Sequence, residues 1–149
     1  MGVEIKKILE KKKIKIKDLK GKILAVDAYN MLFQFLTTIR QYDGTPLKDK
    51  GGITSHLSGI LYRLSKLLKE DIKLIFIFDG ESPKFKEKEK QRRKERRMKA
   101  MKKYKVAKEE KNVEDMEKYS KRTTKLTKEI IEESKEALDA LGIPYIDAP

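Results

Sequence analysis

Short runs of mainly apolar residues mark three predicted strands, at positions 23–26, 73–78 and 143–146. The first run has no polar residue, which is typical of a parallel strand buried on both faces. An aspartate directly follows each run: Asp27, Asp79 and Asp147. Because the segments between the runs have helical spacing, we predict a parallel α/β sheet flanked by helices. Ligands of such sheets bind at the carboxyl ends of the strands, where these aspartates stand.

Between the strands, apolar residues recur every third or fourth position, as on one face of a helix. Two stripes result: Met31, Leu32, Phe35, Leu36 and Ile39 in one helix, and Ile53, Leu57, Ile60, Leu61, Leu64, Leu67 and Leu68 in the next. His56 and Arg63 fall outside the second stripe. A later helix begins with Thr127 as its cap and ends at Gly142. It carries Ile130, Ile131, Leu138 and Leu141.

The remaining segments before residue 80 are polar. Residues 3–17 mix scattered apolar positions with many lysines, and we predict a short helix followed by an extended approach to the first strand. Residues 18–22 are expected to form a turn. Residues 41–52 contain Asp43, Gly44, Pro46 and two further glycines, which favours a turn-rich loop.

Positive charge is concentrated in one internal segment. The chain of 149 residues has a formal net charge of +13, and residues 84–111 alone carry a net charge of +10. Charge runs are usually solvated helix faces or basic tails. Since this run is internal and follows a strong strand, a polyanionic partner is the better interpretation, and nucleic acid and an anionic membrane surface both fit.

The composition excludes several other classes of function. The chain has no cysteine and one histidine, which rules out disulfides, zinc fingers and thiol catalysis and argues against a histidine-based metal site or triad. The apolar runs are too short to span a bilayer, and the N-terminus lacks the apolar core of a signal peptide. We therefore expect an intracellular protein with one domain.

Asp27 and Asp79 are the candidate metal ligands. Carboxylate oxygens suit Mg²⁺ or Mn²⁺, and two such ions clamp the attacking and leaving oxygens in two-metal phosphoryl chemistry. Each aspartate also has a structural alternative, because Asp27 fits a helix N-cap and Asp79 fits a turn before Gly80. Two carboxylates are too few to hold two ions, so further acidic ligands are required.

The basic segment is predicted to be a helix from about Phe85, with no apolar residue between Lys86 and Arg97. Such a helix bridges solvent or forms around an anion. Lys86, Lys90, Arg93 and Arg97 share one face, and Lys86 and Arg93 could place positive charge where negative charge develops during phosphodiester cleavage. Sparse apolar residues farther on predict a hairpin of two helices that turns near 109–112. They are Met101, Tyr104, Val113, Met116 and Tyr119.

Phe33 and Arg40 lie on a different side of their helix from the apolar stripe, in line with Tyr29. An exposed aromatic ring beside an arginine can stack on a base and hold a phosphate. The alternative for Phe33 is packing beneath the N-terminal segment, and from spacing alone this alternative is favoured.

The sequence resembles the flap endonucleases, the structure-specific 5′ nucleases of DNA replication and repair, and the archaeal members most of all. The resemblance is carried by the initial MGV and by DLKGKILAVDAYNMLFQFLTTIRQ, ITSHLSGILYR, FIFDGESPKFKEKEKQRR and ALGIPYIDAP. It spans the chain and implies a PIN-like sheet with a protruding basic helical arch, at about 84–125, that a 5′ flap passes beneath. It also implies cleavage of DNA at 5′ flaps with two Mg²⁺ ions, Mn²⁺ being an alternative.

The resemblance implies roles for individual residues. Asp27 and Asp79 match metal ligands, and Lys86 and Arg93 match the basic pair that contacts the scissile phosphate. The other matches are DNA contacts: Gly2 near the active site, Phe33 stacking on the 5′ nucleotide, Arg40 and Arg63 on DNA, Thr54 and Ser55 on a 3′ flap, and Arg96 and Arg97 steering phosphates. The implied stacking role replaces the packing alternative for Phe33. Asp147 matches no metal ligand.

The sequence departs from the family pattern after Pro149, where family members continue with further acidic ligands and a helix–two-turn–helix. We therefore expect residues 1–149 to form the N-terminal nuclease region of such an enzyme, incomplete at its C-terminus and inactive or nearly so alone. A non-catalytic nucleic-acid-binding module and another PIN-like ribonuclease are the alternatives. The family implies a sliding clamp as partner of the full-length protein, although the clamp-binding peptide is absent here. It also implies a location in the archaeal cytoplasm or nucleoid, or in a eukaryotic nucleus.

Overall fold

The computed structural model describes residues 12–80 and 87–149. Its strands are β1 (Ile23–Asp27), β2 (Lys48–Asp49), β3 (Gly52–Ile53), β4 (Lys73–Phe78) and β5 (Tyr145–Asp147). Its helices are α1 (Ala28–Thr38), α2 (Ser55–Gly59), α3 (Ser65–Lys69), α4 (Glu87–Glu109), α5 (Val113–Thr123) and α6 (Lys128–Ala140), with a 3-10 turn at Ile16–Leu19. Most of the helix predicted within 3–17 lies outside the described residues.

Strands β1, β4 and β5 form one parallel sheet in the order β1–β4–β5. The prediction of a parallel α/β sheet is therefore confirmed. Both crossovers contain helices, as parallel neighbours require. Strand β4, with the most continuous apolar run, occupies the centre, where a strand needs partners on both edges.

The sheet has one closely packed face. Leu74, Phe76 and Phe78 of β4 are buried against α1, α6 and the α2–α3 region, whereas the alternate residues Ile75 and Ile77 are only partly buried. Strand β1 follows the same alternation, and Ile23 is 63% exposed. The prediction that β1 is buried on both faces is therefore wrong among the described residues, because β1 lies at the sheet edge and its helices cover one face.

Helix α1 confirms its predicted stripe, since Leu32, Phe35 and Leu36 are buried. The second predicted helix runs from α2 to α3 through a π-helical turn at Ile60–Leu64. A π-helical turn has hydrogen bonds between residues five apart, not four, so it rotates the apolar stripe around the helix. As a result Leu61 and Leu68 are exposed, which corrects the prediction.

His56 and Gly59 mark the tightest contacts of α2. His56 is fully buried, which sequence spacing did not predict, and its Nε2 lies 2.9 Å from Oε2 of Glu133 on α6. A side chain at Gly59 would collide with the ring of Phe35, so glycine allows α2 to approach α1 closely.

The predicted helical hairpin is confirmed: α4 ends at Glu109, α5 begins at Val113, and Asn112 caps α5 by accepting the N–H of Asp115. As expected for a helix that is polar all round, α4 buries only the small residues Ala100 and Ala107 within its described length. Helix α6 begins after its Thr127 cap and ends before Gly142, as predicted. In the part of the chain that the structure describes, no helix is long and apolar enough to cross a membrane.

Candidate metal-binding and nucleic-acid cleft

Asp27 ends β1 and is the N-cap of α1. Its Oδ1 accepts a hydrogen bond of 2.9 Å from the backbone N–H of Asn30, so the structural alternative is correct. The side chain is exposed at the sheet edge. Because a carboxylate can accept bonds through both oxygens, and no described residue bonds to Oδ2, this second oxygen can approach a cation. Capping and metal binding are therefore compatible at Asp27.

Asp79 lies on the same side of the sheet as Asp27. Asp27 is the register partner of Ile77, and side chains two residues apart on a strand point to the same face. Asp79 directly follows Phe78, the last residue of β4, and is exposed. Standard strand spacings extended by one residue to Asp79 would put the two Cα atoms about 8 Å apart. Carboxylates at that separation can approach a shared cation from two strands.

Asp147 points to the opposite face. Its register partner is Phe78, one residue out of phase with Asp79, and its oxygens lie 2.9 and 3.0 Å from Nζ of Lys135. The same ammonium lies 5.1 Å from the ring centroid of Phe78. Its hydrogen bond to Asp147 raises the pKa of Lys135. Asp147 is thus neutralised away from the other two aspartates, which supports its omission from the ligand set.

The two aspartates open into a cleft of about 1230 Å³ beneath the α4–α5 hairpin. Six predicted site residues line it: Asp27, Phe33, Asp79, Arg93, Arg96 and Arg97. Carboxylates thus line one side of the cleft, and guanidinium groups from α4 line the other. This arrangement can hold a cation and a polyanion side by side.

Arg93 forms a weak ion pair with a carboxylate of its own helix. Its Nε donates a 3.2 Å hydrogen bond to Oε1 of Glu89, one turn earlier on α4. That hydrogen bond lowers the pKa of Glu89. Since the Arg93 side chain is 72% exposed and that of Glu89 is 34% exposed, solvent screens this pair and it holds Arg93 only weakly. A phosphate can therefore compete for the guanidinium.

Phe33 projects from α1 into the cleft and is 43% exposed. Its neighbour Tyr29 instead packs edge-on against the buried Phe78, with ring centroids 5.9 Å apart. The two aromatic residues therefore divide their roles, one fixing the helix to the sheet and the other presenting a ring to the cleft.

Four other predicted DNA contacts among the described residues do not line the cleft: Arg40, Thr54, Ser55 and Arg63. Arg63 donates to Thr38 Oγ1 over 3.2 Å and its guanidinium lies 5.7 Å from the ring of Phe35. Ser55 is fully buried, donating to the Ile39 carbonyl and accepting from the Leu47 N–H, so its side chain is occupied inside the protein. Thr54 is the N-cap of α2. Their DNA roles stay predictions.

Arg40 is likewise engaged within the protein. Its guanidinium donates to the carbonyl of Gly44, to Ser120 Oγ and to Thr124 Oγ1. Partial burial lowers its pKa below the ordinary arginine value. The predicted residues Gly2 and Lys86 lie outside the described residues.

The cleft has further cationic residues that the sequence interpretation missed. Lys99 and Lys103 of α4 and Arg122 of α5 line it, together with Tyr119. Ala100 could have indicated Lys103 from the sequence. This small residue, one turn beyond Arg96 and Arg97, marks the buried side of α4, and Lys103 follows on the same side. For Arg122 no signal was present, because the packing of α5 decides its direction.

The metal-binding capacity of the cleft is partial. Across residues 12–80 and 87–149, no group of three or more acidic or histidine side chains is placed to hold a metal ion. Asp27 and Asp79 have the oxygen chemistry that Mg²⁺ or Mn²⁺ prefers, and both are exposed, so the pair fits part of such a site.

A parallel sheet with paired aspartates at its strand ends, facing a basic helical hairpin, defines a nuclease-type α/β domain. The XPG N-terminal domain model matches residues 1–100, and the chain belongs to that family.

Relatives and solved structures agree with this assignment. Flap endonuclease 1 of Pyrococcus furiosus is 47% identical over the whole chain, and that of Methanobrevibacter smithii is 48% identical over 99% of it. The chain spans only 44% and 46% of their lengths. The structure of flap endonuclease-1 from Methanococcus jannaschii matches 98% of the chain and 47% of its own, with 44% identity and a TM-score of 0.64. The catalytic core of Rad2 in complex with DNA substrate matches 93% of this chain and 33% of its own, with 29% identity and a TM-score of 0.58.

Proposed function

We propose that this chain forms the N-terminal part of a structure-specific 5′-flap endonuclease that hydrolyses DNA phosphodiesters with divalent metal ions. The observation that carries the proposal is the shared cleft, in which Asp27 and Asp79 face Arg93, Arg96 and Arg97. The relatives named flap endonuclease 1 support the same activity, and the Rad2 complex with DNA supports the substrate class.

The residues of the cleft would divide the work by charge. Asp27 and Asp79 would hold Mg²⁺, which supplies charge stabilisation and an activated water when bound. Arg93 would bind the scissile phosphate, since a guanidinium matches two phosphate oxygens at once. Arg96 and Arg97 would attract the backbone, and the ring of Phe33 would stack on the nucleotide next to the cut. Lys86 belongs to the proposed phosphate contact by resemblance.

The scarcity of acidic ligands favours a second function for these 149 residues by themselves, which is binding without cutting. Two carboxylates cannot bridge and hold two ions, and the described residues add no third ligand nearby. We therefore propose that the isolated chain binds flap DNA, and that efficient hydrolysis needs further carboxylates from additional polypeptide.

The test compares binding and cleavage on the same labelled DNA. Fluorescence anisotropy should show tighter binding to a 5′-flap junction than to a blunt duplex, and gels should show negligible cleavage with Mg²⁺. Adding the remaining region of a flap endonuclease relative as a second polypeptide should restore cleavage at the junction, and Asp79→Asn should remove the rescue. Equal binding to both DNAs would contradict flap recognition, and strong cleavage by the chain alone would contradict the incomplete site.

Cellular context follows from the same proposal. A nuclease that acts on replicating or repaired DNA works inside the cell, and the relatives named above come from archaeal organisms. A sliding clamp as partner of the full-length protein stays an expectation from the resemblance.

A further inference from the structure

A second connection joins the α4–α5 hairpin to the sheet domain, away from the paired aspartates. Arg40 Nη1 donates hydrogen bonds of 2.6 Å both to the Gly44 carbonyl and to Ser120 Oγ, and Nη2 donates to Thr124 Oγ1. Ser120 Oγ also donates to the Gly44 carbonyl. We name this cluster of Arg40, Gly44, Ser120 and Thr124 the Arg40 latch.

The loop that carries the latch is held in one conformation. Arg40 and Pro46 form a β-bridge, and Asp43 accepts bonds from the N–H and hydroxyl of Thr45. Gly44 has a positive φ of 73°, and any side chain there would collide with the backbone of Glu117 on α5. Only glycine therefore permits this contact between the loop and α5.

The latch uses most of the binding capacity of its members. Ser120 is 4% exposed, so its hydroxyl is not available to solvent. Arg40 Nε is also buried and has no hydrogen-bond partner among the described residues. A guanidinium fixed at three acceptors gives a rigid joint, because its planar fork allows few alternative arrangements.

We propose that Arg40 is a positioning residue, which fixes α5 to the 40–46 loop and so sets the distance between the hairpin and the paired aspartates. Tyr119 and Arg122 flank Ser120 on α5 and line the cleft, so any rotation of α5 moves them directly. Helix α4 follows, because it packs along α5. The cationic wall of the cleft thereby depends on a contact outside it.

This inference rests on the proposed function only for the effect of the Arg40 latch on DNA binding. The contact between α5 and the 40–46 loop can itself be measured without DNA. The chain has no cysteine, so introduced cysteines are the sole labelling sites. Spin labels at Glu110→Cys near the hairpin tip and Lys66→Cys on α3, both at exposed positions, report the distance between hairpin and domain by double electron–electron resonance.

Two sets of variants distinguish the hydrogen bonds of the Arg40 latch from the positive charge of Arg40. Ser120→Ala with Thr124→Val removes latch acceptors and keeps every charge, and Arg40→Lys keeps the charge but loses the planar fork. Thr37→Val is the matched control, because among the described residues the Thr37 hydroxyl bonds only carbonyls of its own helix.

The latch variants should broaden the distance distribution and shift its mean, whereas the control should match the parent. Amide exchange in α5 should accelerate about tenfold while β4 stays protected, as loss of hydrogen bonds in one unit requires. Unchanged distances in both latch variants would overturn the inference. Equal acceleration in α5 and β4 would also overturn it, because that result reports weaker global stability and not a local joint.

A DNA measurement distinguishes the latch from direct contact by Arg40. If the latch positions the hairpin, Ser120→Ala with Thr124→Val should weaken flap-DNA binding although no charge is lost. If Arg40 acts only on DNA, that double variant should bind normally while Arg40→Ala binds weakly, and the positioning role is then wrong. Failure of every protein to bind flap DNA would contradict the proposed function, whereas the distance result would still decide the latch.

Discussion

Asp27, the last residue of β1, and Asp79, which directly follows the neighbouring parallel strand β4, line the same cleft. The register pairs Asp27 with Ile77, and Asp79 follows two residues later. A shift of one residue in this register would turn the two carboxylates to opposite faces. The shared site therefore depends on the apolar residues of β1 and β4, whose packing fixes the register.

Removing one carboxylate should abolish metal-dependent cleavage. We expect Asp79→Asn to reduce cleavage at least about a hundredfold in protein completed with the remaining acidic ligands, because several kcal/mol of charge stabilisation are lost. Asp147→Asn is the matched control, since Asp147 faces Lys135 on the other side of the sheet. Gel assays measure cleavage, and Mn²⁺ titrations followed by electron paramagnetic resonance measure ion binding. Equal losses of cleavage in both variants would show that the side of the sheet on which an aspartate lies does not matter.

The cleft arginines should control the salt dependence of DNA binding. Each phosphate neutralised contributes about −0.9 to the slope of log affinity against log salt, so Arg96→Ala with Arg97→Ala should flatten the slope by about 1.8. Lys102→Ala with Lys105→Ala removes the same charge from residues of α4 that do not line the cleft. Anisotropy titrations across salt concentrations measure the slopes. Identical slopes for the two double variants would exclude a special role for the cleft.

The elements that could be predicted from the sequence are those whose apolar residues recur at a regular spacing. The apolar run of β4, the stripe of α1 and the cap of α6 each predicted their element, because burial of one face imposes a regular spacing. Strand β2 was missed within the predicted loop, and β3 was missed where that loop meets the predicted helix stripe beginning at Ile53, since two residues are too few to show a period. The π-helical turn in the helix at Ile60–Leu64 was also missed, because it depends on the packing around it.

The candidate site was predictable in part. Asp27 and Asp79 stood out because they end apolar runs, and helical spacing placed Arg93 and Arg97 on one cationic face. The resemblance added Arg96 and the stacking role of Phe33. The engagement of Arg40 with Ser120 and Thr124 was not predictable, because it joins residues about 80 positions apart through tertiary packing. The burial of His56 depends similarly on the contact between α2 and α6.

Replacing Phe33 should mainly weaken DNA binding, whereas replacing Phe35 should mainly lower the stability of the fold. Phe33→Ala should weaken flap-DNA binding by about 1–3 kcal/mol, the usual contribution of one stacked base. Because Phe33 is 43% exposed, its loss should change the unfolding free energy little. Phe35 is fully buried, and Phe35→Ala should cost about 3–5 kcal/mol of stability. Urea denaturation and anisotropy measure the two effects. A Phe33→Ala protein with normal DNA binding would return this residue to a purely structural role.

His56 should make the protein less stable in mild acid. Burial lowers the pKa of His56, and the carboxylate of Glu133 opposes this effect without cancelling it. The folded state therefore binds a proton at lower pH than the unfolded chain does, so stability is complete above the unfolded pKa, near 6.5, and falls as the pH decreases towards the folded pKa.

Urea unfolding between about pH 7.5 and 5.5 measures this loss, because that interval spans the unfolded histidine pKa. His56→Gln removes the titrating group and should flatten the dependence, although the variant is less stable at every pH. Carboxyls whose pKa is lowered by hydrogen bonds, such as Asp43 beside Thr45 and Glu117 beside Lys121, lose their contribution only below about pH 4.5. An equally steep decline in the His56→Gln protein would therefore assign the acid sensitivity to groups other than this buried imidazole.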